Sequence, residues 1–126
     1  WLSDQKFAQK YGFTCVDRTA DGYQLLALSL DGSVPRFAEN AKSQRIDEQE
    51  LTVYYDDQCP FIPQRVDKLR AYCEAHGIPA RFIHVDTLAQ AKALPCVFNN
   101  WAVFYRGRFV TVNLLDAAAL KRLLKK

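Results

Sequence analysis

Methionine is absent from this chain, and cysteine, glycine and proline are sparse, at four, five and five residues in 126. No apolar run approaches the eighteen or so residues of a membrane-spanning helix, so no membrane partner is expected. No basic-then-apolar leader opens the chain, and no secretory signal is read there. Because the first residue is Trp1 and methionine is missing throughout, we expect residues to precede it in a longer or processed protein. The cysteines, Cys15, Cys59, Cys73 and Cys96, lack the paired C-x-x-C spacing of a zinc site, and no metal is expected. They also make no disulfide framework, which points to a reducing cytoplasm. Walker, His-Glu-x-x-His and Gly-x-Ser-x-Gly motifs are missing, so P-loop, zincin and nucleophile-elbow chemistry are removed from consideration. Lysine and arginine outnumber aspartate and glutamate by only 17 to 14, a net charge of +3. The basic residues cluster only at Lys121-Arg122 and Lys125-Lys126, where they complement the dipole of a last helix, and no nucleic-acid partner is expected.

What the chain does hold is 49% hydrophobic and 25% charged residues, the balance of a globular domain or a small domain with an appendage. Residues 1–10 read as a short helix whose buried face would hold Trp1, Phe7 and Tyr11, with Gly12 as its stop. Residues 13–17 and 23–30 read as two strands joined by a turn at Asp21-Gly22. A helix and one hairpin are too little to bury a core, so this unit must lean on something else. Residues 31–49 hold Gly32, Pro35, Asn40 and many charged or amide side chains, and read as a linker crossing the surface of the second unit. We therefore divide the chain into a first unit with its linker, 1–45, and a second unit, 46–126.

From Leu51 the patterns run strand, helix, strand, helix, strand, strand, helix. The apolar run at 51–55 suits a buried strand, and Val66, Leu69, Tyr72 and Cys73 recur at helical spacing until Gly77. A strand–helix–strand opening requires a right-handed crossover and a parallel pair. Arg106-Gly107 makes a tight turn between two closing antiparallel strands. The expected class is α/β: a mixed sheet flanked by helices, with a helix-plus-hairpin appendage.

Cys59 is the foremost candidate for chemistry. It ends the segment after the first buried strand and stands at a helix N-terminus, where free N–H groups and the helix dipole favour a thiolate. Asp56 and Asp57 precede it and oppose ionisation. The alternative is a half-buried cysteine without a role. Cys73 reads as core, Cys15 as structural and His76 as a helix C-terminal cap. His84 alternates within a strand and lacks sequence neighbours that would make it a ligand.

Strand, then Cys59-Pro60-Phe61-Ile62, then helix resembles the way thioredoxin and glutaredoxin folds present a thiol, with Ile62 where a second cysteine would stand. The resemblance implies Cys59 as a thiol nucleophile and Pro60, Phe61 and Pro95 as substrate-binding residues, Pro95 in the cis form. It also implies Cys96 as a candidate resolving partner. The bland alternatives are a trans Pro95 that only ends a helix and a Cys96 buried in the core.

Two further stretches, Tyr54-Tyr-Asp-Asp-Gln-Cys-Pro-Phe61 and residues 95–111, resemble the YoaP-like domain, a thioredoxin-fold module that commonly follows a GNAT-type N-acetyltransferase domain. Phe7-Ala-Gln-Lys-Tyr-Gly-Phe13 resembles the F-Y-x-K-x-G-F segment near the end of GNAT domains. The tyrosine many such enzymes use as general acid falls at Ala8, and the loop that cradles coenzyme A would lie before Trp1. The resemblance implies a C-terminal recognition or docking module with no cofactor of its own. Acetyl-CoA belongs to the whole protein, and the missing N-terminal GNAT portion is its partner. A second expectation is a monothiol oxidoreductase using Cys59 on glutathione or a small-molecule or protein thiol. A third is a module that shields the acetyltransferase sheet.

Overall fold

A computed structural model describes residues 4–126, so Trp1 lies outside the described residues. Helix α1 (Lys6–Lys10) makes little more than one turn and buries only Ala8. Phe7 and Tyr11, expected on its inner face, are instead 64% and 60% exposed and lie against each other with ring centroids 5.3 Å apart. So short a helix can turn only one position inward, and the small alanine takes it.

Strands β1 (Thr14–Arg18) and β2 (Gln24–Ala27) form the expected antiparallel hairpin, with a bulge between Cys15 and Asp17. Its turn is built by Thr19, whose buried hydroxyl donates to Asp21 Oδ1 at 2.5 Å and accepts from the Tyr23 N–H at 3.0 Å. The second strand was expected to reach Leu30 but stops at Ala27. Ala27 already pairs with Thr14, the first residue of β1, so the ladder has no strand residue left for Leu28.

Residues 31–49, read from the sequence as a linker, are structured. Helix α2 (Glu39–Ser43) interrupts it and ends on Gln44 in the left-handed region. Asn40 Nδ2 donates to the carbonyls of Lys92 and Leu94 at 2.7 and 2.9 Å. The Gln44 N–H donates to the Pro95 carbonyl at 2.8 Å, and Arg45 bridges to Arg108. Asp17 ties this segment back to the hairpin, accepting from the Phe37 N–H at 2.8 Å and pairing with Lys42 Nζ at 2.7 Å.

Strands β3 (Leu51–Tyr55), β4 (Ala80–His84), β5 (Trp101–Tyr105) and β6 (Arg108–Thr111) form one mixed sheet in the order β4-β3-β5-β6. β3 pairs parallel with β4 and antiparallel with β5, and β5 with β6 antiparallel. Between β3 and β4 runs helix α3 (Phe61–Ala75). Gly77, at φ +63°, lets the Ile78 N–H return to the Cys73 carbonyl at 2.8 Å and the Gly77 N–H to Glu74, the Schellman closure. Helix α4 (Leu88–Lys92) starts on a capping box between Thr87 and Gln90, and α5 (Ala117–Leu124) starts on Asp116, which accepts from the Ala119 N–H. The mixed α/β class read from the sequence is the observed one.

Alternation along the central strands makes two cores. Leu51, Val53, Trp101 and Val103 face α3, which contributes Ile62, Val66, Leu69 and Cys73, and Leu120 of α5. Ala102 and Phe104 face the other way, toward Cys96, with Ile46, Tyr54, Phe98 and Phe109 packed around them. The linker thus closes the second core through Ile46.

Candidate functional site

The loop after β3 carries three of the residues the sequence singled out, Cys59, Pro60 and Phe61, into the start of α3. The Asp56 carboxylate accepts from the Gln58 N–H at 3.1 Å, and the Asp56 N–H donates to the Asn100 carbonyl at 3.2 Å. These bonds shape the loop that delivers Cys59 to the start of α3. Cys59 is half-buried, packs against the α3-side core, and its carbonyl accepts the Ile62 N–H at 3.0 Å.

The structure does not bring Cys59 and Cys96 together. Both are free thiols, and Cys96 lies in the core on the opposite face of the sheet. Burial pushes the Cys96 thiol from its ordinary 9.0 up to about 12, so it stays protonated in neutral solution and is a poor nucleophile. The cis Pro95 expected from the thioredoxin resemblance is not found: among the described residues no peptide bond is cis. The trans form is the intrinsically favoured one, and here the Pro95 carbonyl is engaged by the linker through Gln44. Pro60 is the N-cap residue of α3 and Phe61, its first residue, is 67% exposed.

Sequence reasoning missed a pair at the C-terminal end of the parallel strands β3 and β4. His84 Nε2 lies 2.7 Å from Asp57 Oδ2, and its Nδ1 lies 3.8 Å from Asp86 Oδ2. The ring rests on Tyr55 at 5.1 Å. The register that sets Tyr55 opposite His84 was the usable signal, because it brings the residues after both strands together. Tyr55, Asp57 and His84 border a cleft of about 140 Å³ with Asp67 and Arg70 on its α3 side. That is room for roughly four or five waters at liquid density, and it is below the size of a pocket for a drug-sized ligand. Among the described residues, no cluster of three or more His, Cys, Asp or Glu is arranged to hold a metal.

A second cavity lies where the hairpin meets the sheet. It measures about 570 Å³ and runs from Asp21 and β2 across to Val97 and β6. This is the size of a small-molecule site. Sequence reading could not place it, because its walls come from segments some ninety residues apart that only the linker's hydrogen bonds draw together.

Comparison with known proteins bears on the α/β unit first. Residues 79–125 match the YoaP-like family model. The YoaP-like match therefore covers β4 through α5 and includes Pro95 and Cys96, while Cys59, Pro60 and Phe61 fall outside it. The chain is also 34% identical, over 126 residues, to the Bacillus subtilis (strain 168) protein described as the uncharacterized N-acetyltransferase YoaP. That alignment takes in 98% of this chain and 50% of the relative, so the chain spans half the length of the curated relative it matches. No solved structure matches the chain. Among the described residues no helix is long and apolar enough to cross a membrane.

Proposed function

We propose that this chain is the recognition half of an N-acetyltransferase-type protein, and that acetyl transfer belongs to the other half. One observation carries the reading: nearly all of this chain aligns with only half of YoaP. The sheet order β4-β3-β5-β6, with α3 and α5 against one face, supports a thioredoxin-like reading of residues 46–126. Helix α1 and the β1–β2 hairpin support a reading of the first unit as the closing elements of a GNAT-type domain. Phe7, Tyr11, Phe13, Leu28, Leu30 and Val34, six of the ten exposed large hydrophobic residues among those described, lie on this small unit. Exposed apolar side chains in this number are what a covering domain would bury. The thiol-oxidoreductase reading has weaker support, since Pro95 is trans and Cys96 is buried on the far side of the sheet from Cys59.

The test is association. Mixed with the separately produced acetyltransferase half, the chain should form a one-to-one complex in size-exclusion chromatography with light scattering. Leu30→Asp changes a residue that is 91% exposed here and should leave the chain folded. It should weaken the complex about tenfold or more, the loss expected for an apolar anchor in an interface. Failure to associate, or a complex indifferent to Leu30→Asp, would overturn the proposal. Thiol turnover that disappears in Cys59→Ser would favour the oxidoreductase.

A further inference from the structure

The groove at the hairpin–sheet junction has a definite chemical character. Tyr23, Phe37 and Phe109 line it with rings, and Tyr23 and Phe109 meet edge to face at 6.0 Å, which makes a flat-sided corner. Leu25, Val97 and Val110 add aliphatic walls. Asp21 is the one charged side chain among its described lining residues. That carboxylate is held in place by two neutral donors, the Thr19 hydroxyl and the Gln44 side-chain amide, the latter at 2.7 Å. Among the described residues it forms no ion pair. The Tyr23 hydroxyl is pushed up first by burial and then by the Asp21 charge, so the carboxylate's field reaches into the groove. Gln5 and Gln24 border the groove as well, and Asp21 is exposed at its rim. A fixed negative charge with no ion-pair partner among the described residues, at one end of a ring-lined groove, favours a cation with an apolar body over an anion.

We infer that this groove binds a small organic amine, its ammonium at Asp21 and its ring-sized apolar body between the hairpin and β6. The inference rests on the recognition reading and names the ligand class that the recognition half would hold. The groove is formed wholly by this chain, so binding can be read on the chain alone.

The probe is 2-phenylethylamine, titrated into the isotopically labelled chain and followed by amide NMR shifts. Shifts should concentrate at residues 21–26, 97 and 109–110. The amine should bind about fivefold more tightly than 2-phenylethanol, the worth of one partly exposed charge pair, and 3-phenylpropanoate more weakly than either. Asp21→Asn keeps an oxygen for Thr19 and Gln44 but removes the charge, and it should abolish the preference for the amine. Val110→Trp fills the groove from a 40% exposed position and should remove binding of both ligands without lowering Tm. This second variant carries the test if Asp21→Asn disturbs the hairpin. Absence of shifts at millimolar amine, shifts elsewhere, equal binding of the carboxylate, or an unchanged preference in a folded Asp21→Asn would overturn the inference. None of these results bears on association with the acetyltransferase half, so the two proposals fail separately.

Discussion

A single methyl group added at Gly107 should lift the linker off the sheet. Gly107 sits at φ +75° in the β5–β6 turn, beside Arg106 at φ +54°. A Cβ there would lie 2.8 Å from the Ile46 carbonyl oxygen and 3.1 Å from Gln49 Nε2. The left-handed backbone alone costs an alanine about 1 kcal/mol. The Ile46 backbone cannot move away without straining the bond from its N–H to the Gly107 carbonyl, now 2.9 Å, and such a bond contributes about 1 kcal/mol. Partial withdrawal of Ile46 from the second core adds a further loss, giving about 2–3 kcal/mol for Gly107→Ala, or roughly 6–12 °C in Tm for a chain of this size. Thermal unfolding gives the magnitude, and amide exchange gives the place. The Ile46 and Arg106 amides, bonded to Gly107 and Gln49, should lose protection, while those of β3 keep it. A variant that melts within about 2 °C of the parent, with linker protection intact, would refute the claim that the linker is seated on this turn.

Three further outcomes follow from the electrostatics. Above pH 9 the Cys96 thiol ionises in the unfolded chain but not in the folded one, so the unfolded state holds fewer protons and stability should fall as pH rises toward about 12. Urea unfolding should show a loss of about 2 kcal/mol between pH 9 and 10.5. Cys96→Ala should shrink it and leave a residual slope from Cys73, which burial raises as well. The Asp17 carboxyl is held below its ordinary 3.8, first by Lys42 against the opposing effect of burial, and then by the Phe37 N–H. Its contribution is present above pH 3.8 and lost as pH falls through the depressed value. Asp17→Asn should flatten that acid limb and speed exchange of the Phe37 amide, and an unchanged limb would count against the Asp17 anchor. The His84–Asp57 pair is 37% and 63% exposed, so His84→Ala should cost less than about 1 kcal/mol. A loss above about 2 kcal/mol in chemical denaturation would mean the pair carries structure that its exposure denies.

Much of the second unit could be read directly from the chain. Period-two and period-3.6 patterns, Gly77, Pro95 and Arg106-Gly107 are local signals, and each fixed an element to within a few residues. The first unit read less well because its helix is barely a turn long and its strands are paired only with each other. Phe7, Tyr11, Leu28 and Leu30 look like core residues by pattern, and they stay exposed because nothing within the described residues covers them. At the site, the position of Cys59 at the head of α3 was legible from the order strand, cysteine, helix. The relation of Cys59 to Cys96 was not, because it depends on which face of the sheet the segment after α4 enters. His84 and Asp57 meet only through parallel pairing, and the junction groove only through the linker's contacts with Pro95, Gly107 and Phe109.

Calorimetric titration of acetyl-CoA into the 126-residue chain, first alone and then in complex with the proposed acetyltransferase half, tests the proposed division of labour most directly. The account predicts no heat of binding to the isolated chain and saturable binding once the other half is present. Micromolar binding of acetyl-CoA to the chain by itself would contradict it.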